Sequence, residues 1–170
     1  MTKPGEKPRA EATATVAVRV DVDATSAFDL FVLEIDRWWR RGVKFRHAGA
    51  AIGAIRIEPR LHGAVFETWS DARGEQRFEL GRVIVWQPPH QLAFTWRNAT
   101  FAPLEQTEVE VTFAPMGKST LVTVRHRGWE ALRRDHPARH GADDEALQRV
   151  IGLWWGDQLT SLREFAVPAP

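Results

Sequence analysis

Residues 142–165 read ADDEALQRVIGLWWGDQLTSLREF. Leu147, Ile151, Trp154 or Trp155, Leu159 and Leu162 recur at spacings of three and four, so one long helix carries them on one side. Asp143, Asp144 and Glu145 suit the positive N-terminus of that helix. The sequence before it has a different period. AIRIEP, GAVFETWSDARGE, QRFELGRVIVWQPP, HQLAFTWR, TEVEVTF and STLVTVRHRGW follow one another, and most alternate. Leu92, Phe94 and Trp96 share a phase, as do Val109, Val111 and Phe113, and then Val122, Val124 and His126. Strands at hairpin spacing pair antiparallel. Gly81, inside the longest run, marks a bulge or bend. One helix cannot cover a flat sheet of about seven strands. The sheet must therefore curl, with the C-terminal helix in its concavity.

Upstream, TATVAVRVDV puts Val16, Val18, Val20 and Val22 on one face of a half-buried strand. Asp23, Thr25 or Ser26 caps the helix that follows, which is broken in two or continuous as far as a stop at Gly42. Phe28, Phe31, Leu33 or Ile35, and Trp38 or Trp39 form its apolar side. Residues 128–142 lapse into a loop or irregular helix containing Pro137. The expected organisation is a flexible leader over 1–12, a single domain over 13–166 and a tail over 167–170.

With 170 residues, eight tryptophans and nine phenylalanines, the chain can build a real core. The absence of cysteine excludes disulfides and thiolate chemistry. The first residues lack the apolar run of a secretory signal, and no stretch approaches the roughly 20 apolar residues of a membrane span. The expected location is cytoplasmic. A formal net charge of +1 argues against nucleic-acid binding. No Gly-rich phosphate loop, nucleophile elbow or CxxC occurs, so nucleotide chemistry and a serine or cysteine nucleophile have no support. His136 and His140 in HPARH have a spacing of four, but Pro137 between them disfavours a metal-binding helix. No metal or cofactor is expected.

The order and wording of these pieces resemble the START-like (SRPBCC, helix-grip) superfamily. Within it they are most similar to bacterial homologues of the heat-shock-protein ATPase activator. AFDLFVLEIDRWW resembles that group's first helices, and GAVFETWSD, GRVIVWQPPHQLAFTW and TEVEVTFAPMGKSTLVTVRHRGW its successive strands. WWGDQLTSL, with Trp155, Leu159 and Leu162, resembles the start of its last helix. The resemblance spans about 13–165. It implies an α+β helix-grip fold with two short helices after the first strand, and a mostly apolar cavity between sheet and long helix.

Residue types then suggest roles. A buried tryptophan removes ~200 Å² from water, at most about 5 kcal/mol. In EIDRWWRRGVKF, adjacent helix residues point about 100° apart. The favoured reading of Trp38 and Trp39 is an aromatic anchor that closes one end of the core; alternatively one faces the core while the other faces a pocket rim or a partner, and an exposed one could seed a dimer. An empty space of about 300 Å³ would cost on the order of 7 kcal/mol, so large side chains fill the interior or a ligand does. The many aromatics suggest partial filling and a small or flat ligand. His126 is a core histidine held by hydrogen bonds, or a group that orients a ligand or moves a proton. Glu67 is expected to be a solvated strand residue. If it shared a face with Val65 and Trp69, it would be a buried carboxyl with a raised pKa.

The expected function is binding of a small hydrophobic molecule, aromatic or lipid-like, by a monomer or homodimer. The candidate lining residues are Trp38, Phe45, Phe66, Phe94, Trp96, Val109, Val111, Val124, His126, Ile151 and Trp155. The alternatives are a co-chaperone-like module with a chaperone partner, and a cyclase or hydrolase in which His126 supplies acid–base chemistry. An enzyme is the less expected outcome, and no catalytic residue is assigned.

Overall fold

The structure is a computed structural model and describes residues 11–167. Its chain order is β1 (Ala14–Val20), α1 (Ala24–Leu33), α2 (Ile35–Trp38), β2 (Gly53–Ile57), β3 (Ala64–Asp71), β4 (Gly74–Gln87), β5 (Gln91–Trp96), β6 (Thr107–Met116), β7 (Ser119–Arg127) and α3 (Asp144–Phe165). Two short 3-10 turns, Trp129–Ala131 and Pro137–Arg139, lie between β7 and α3. The strands form one antiparallel sheet in the order β1-β7-β6-β5-β4-β3-β2, curled into a half-barrel. The expected leader falls mostly on residues 1–10, and the tail mostly on 168–170, outside the described residues. Ala12 is already buried, its N–H donating to the Glu130 carboxylate at 3.1 Å.

The alternating phases set the register. Val109 pairs with His126, Val111 with Val124, and Phe113 with Val122, and all six side chains are buried. Asp23 caps α1, its carboxylate accepting from Ser26 N–H at 3.0 Å, and Asp143 caps α3 in the same way on Ala146 N–H at 2.8 Å. Trp155, Leu159 and Leu162 bring α3 into one core with the inner face of the sheet and with Phe28, Phe31 and Val32 of α1. A second, smaller core holds Phe101, Trp129, Leu132 and Leu147 beneath the 128–142 segment.

Three expectations need correction. First, α2 ends at Trp38, and Trp39 adopts extended backbone (φ −64°, ψ 121°). Without a helix to splay them, both indoles turn inward, with exposures of 1% and 2%, so neither is free to seed a dimer. Trp38 Nε1–H donates to the Leu30 and Phe31 carbonyls and Trp39 Nε1–H to that of Phe45, so their polar atoms are satisfied. Second, Glu67 is buried, because it follows Val65 in phase and pairs with the fully buried Ile55. Third, Phe66, its neighbour on the strand, lies on the opposite face beneath the Arg77 guanidinium, 3.7 Å from the ring centre.

Candidate functional site

The two tryptophan pairs interlock. Trp39 lies 5.4 Å from Trp154 and 5.6 Å from Trp155, ring centre to ring centre, in edge-to-face contacts. Trp96, at the end of β5, packs against Trp39 at 5.8 Å and Trp154 at 6.0 Å. Such pairs contribute about 0.5–1.5 kcal/mol each beyond burial. The middle of the grip is therefore full of rings, and the space lies to one side.

That space is a partly open pocket of about 880 Å³. The first half of α3 contributes Leu147, Val150, Ile151, Leu153 and Trp154. The sheet contributes Leu80, Trp96 and His126, the loop after α2 contributes residues 43–47, and the 128–142 segment contributes Trp129, Ala138, Arg139 and His140. Of the residues expected to line a cavity, Phe45, Trp96, His126 and Ile151 meet here. Trp38, Phe94, Val109, Val111, Val124 and Trp155 are packed in the core away from it, and Phe66 is on the other face. The strand phases of Phe94, Val109, Val111 and Val124 marked an inner face, and that of Phe66 did not, but an inner-face residue reaches a cavity only where the opposing helix stands off.

The loop wall is tied down by α3. Trp154 Nε1–H donates to the Lys44 carbonyl (2.9 Å), Lys44 Nζ–H to the Asp157 carboxylate (2.7 Å), and Arg40 N–H to Gln158 Oε1 (2.9 Å). Arg46 folds back beneath the loop, its guanidinium donating to Asp36 Oδ1 and to the carbonyls of Asp36, Trp39 and Arg40. Burial alone would raise the Asp36 carboxyl. The Ile55 N–H, the Arg46 hydrogen bond and the charges of Arg46 and Arg41 outweigh it and hold the group below the usual carboxylate range.

Glu67 secures the far end of the loop, accepting from Ala48 N–H at 3.1 Å. Burial raises its pKa more than the Ala48 and His47 N–H groups and the Arg46 charge lower it. A carboxyl raised on folding favours the folded state fully below its unfolded pKa, and that contribution is lost as pH rises through the folded value. Gln at position 67 keeps an acceptor for Ala48 and carries no charge. Glu67→Gln is therefore expected to raise the melting temperature at neutral pH, with the gain vanishing in acid. A melting-temperature series against pH checks this, and a uniform loss at every pH would refute it.

His126 has no free nitrogen. The indole N–H of Trp155 can only donate, and it lies 3.1 Å from Nδ1, so that nitrogen is the acceptor. The proton is then on Nε2, which donates to Thr107 Oγ1 at 2.7 Å; Thr107 in turn donates to the Trp96 carbonyl. Burial lowers the pKa to about 3, so the ring is neutral. His126 ties the buried Trp155 to Thr107 and, through it, to the backbone of the wall residue Trp96, and the structure gives it no open position for proton transfer. His136 is likewise structural, accepting from Ala138 N–H and bonding the Glu105 carboxylate at 2.7 Å. Among the described residues no cluster of three or more His, Asp or Glu side chains could hold a metal. No helix among them is long and apolar enough to cross a membrane.

Sequence reasoning missed Trp129 and Arg139. Trp129 follows a glycine after the β7 alternation ends, and Arg139 sits in a segment without periodicity, so neither has a phase to reveal its direction.

A seven-stranded antiparallel sheet curled about a C-terminal helix, with a pocket beside that helix, defines a START-like helix-grip protein. The family model described as "Activator of Hsp90 ATPase homolog 1-like protein" matches residues 32–151, and the chain belongs to that family. No curated protein matches the sequence. Among solved structures, the fold is similar to that of protein MLL2253 from Mesorhizobium loti (TM-score 0.59, 15% identity, covering 89% of this chain and 94% of that one). It is also similar to ChR145 from Cytophaga hutchinsonii (0.63, 12%, 90% and 92%) and to CV1439 from Chromobacterium violaceum (0.59, 14%, 92% and 99%).

Proposed function

We propose that this protein binds a small hydrophobic molecule in the pocket between α3, the sheet and the 43–47 loop. The observation that carries this reading is the pocket of about 880 Å³ walled by Phe45, Leu80, Trp96, Leu147, Ile151 and Trp154. Apolar space of that size costs free energy when poorly filled, and a ligand's apolar surface recovers part of the cost. The engagement of both His126 nitrogens favours a binder over an acid–base catalyst. A co-chaperone role draws support from the family description alone, and the geometry favours the pocket.

Nile red, a neutral apolar dye, tests this. Wild-type protein is expected to bind it saturably, with brighter emission and a raised melting temperature. Ile151 lines the pocket and is half-buried, so Ile151→Trp places an indole in the space. That variant is expected to lose dye affinity by about tenfold or more, worth at least ~1.4 kcal/mol, while unfolding near the wild-type temperature. Unsaturable uptake, or equal affinity in the folded variant, removes the reading.

A further inference from the structure

Resting on that reading, we propose that the pocket's ligand is an amphipathic carboxylate, an apolar body carrying one anionic end. Two observations point there. The first is the sign of the lining. Lys44, Arg46 and Arg139 contribute to the wall with His47, His126 and His140, and no aspartate or glutamate does, among the described residues. The chain has 22 acidic residues against 23 lysines and arginines, so composition alone does not produce this segregation. The three cations are ion-paired, to Asp157, Asp36 and Asp144. None of those aspartates is among the pocket's lining residues. A partly buried wall that carries cationic residues and no carboxylate favours an anion over a cation.

The second observation is unmet donors. Trp129 Nε1–H and Arg139 Nε–H are buried without a hydrogen-bond partner. Both belong to lining residues, exposed by only 3% and 1%. The rest of Arg139 is engaged, donating to the Trp129 carbonyl at 3.1 Å and to the Asp144 carboxylate, so its position is fixed. Buried donors left unpaired are costly, and native structures rarely keep them without a reason. Two unpaired donors on contacting residues, one of them on a cation, are of the kind that carboxylate oxygens satisfy. The apolar residues of α3 would hold the body, and the 128–142 segment the head.

Competition against bound Nile red tests this with two matched pairs below their micellar concentrations: sodium dodecanoate against 1-dodecanol, and 2-naphthoate against 2-naphthalenemethanol. In at least one pair the acid is expected to displace the dye at about tenfold lower concentration than its alcohol, the pair showing whether the body is aliphatic or aromatic. Trp129→Phe keeps an aromatic ring and removes one donor; it is expected to lower the acid's affinity severalfold and to leave the alcohol's unchanged. Alcohols that match the acids in both pairs overturn the carboxylate assignment while the pocket stands. An unchanged acid preference in Trp129→Phe overturns the role given to the indole. If Nile red itself fails to bind saturably, the pocket reading fails and takes this inference with it.

Discussion

Replacing Gly81 with alanine is expected to cost more than about 3 kcal/mol of stability, the upper range for forcing atoms into a packed structure. A Cβ built there lies 1.7 Å from the Thr95 carbonyl oxygen and 2.5 Å from its carbon. Both are backbone atoms of β5, so no side-chain rotation relieves the overlap. The strands must part instead. The hydrogen bonds on either side, Arg82 N–H to Thr95 Oγ1 at 2.9 Å and Arg97 N–H to the Leu80 carbonyl at 2.8 Å, would lengthen with them. Gly81 also pairs with Val65 at the register shift between β3 and β4, where Leu80 is the extra residue on β4. Its neighbour Leu80 lines the pocket, so dye affinity should fall with stability. Gly156→Ala is the matched control. A Cβ at that helical position meets nothing within 4 Å, and the change should stabilise by up to about 1 kcal/mol. Urea denaturation of the two variants decides it, and equal stabilities would show that the bulge is more pliant than the close approach implies.

Arg46→Met carries the second large effect, an expected loss of about 3 kcal/mol or more. The side chain is 2% exposed, and its guanidinium satisfies the carbonyls of Asp36, Trp39 and Arg40 together with Asp36 Oδ1, at 2.6 Å in the last case. Methionine fills similar volume but takes this donor from the three carbonyls and leaves Asp36 Oδ1 with the Ile55 N–H alone. The Asp36 carboxyl is lowered in the folded protein, so its contribution is present above the unfolded pKa and is lost as pH falls through the folded one. Without Arg46 that acid sensitivity should weaken. A double-mutant cycle with Asp36→Asn measures the coupling, and additive losses would mean that the pair acts independently. Because residues 43–47 form one wall of the pocket, dye affinity should drop in Arg46→Met even where the protein remains folded.

How much of this was legible beforehand depended on periodicity. The phases of β6 and β7 placed Val109, Val111, Val122, Val124 and His126 on one face, and the register pairs them there. Gly81 was recognisable as a bulge or bend, because glycine inside a long strand has few other uses. Glu67 was ambiguous, since GAVFETW offers apolar residues in both phases, and only the pairing with Ile55 shows which phase is buried. Trp38 and Trp39 were legible as an aromatic anchor but not as two buried side chains. Their directions follow from the backbone leaving the helix at Trp39.

The sequence by itself determined the order of elements, the need for the sheet to curl, and the family, because local hydrophobic period and turn chemistry act over a few residues at a time. The tertiary structure alone decided where the interior is packed and where it is open. That depends on the fit of distant surfaces: Trp39 against Trp154 and Trp155 closes the middle of the grip, while the turns of α3 before Trp154 leave the pocket between Leu147, Ile151 and the sheet. It also decided that Arg139, in a segment with no period, is buried among the pocket's lining residues, since a side chain's direction in irregular backbone is set by what it meets across space.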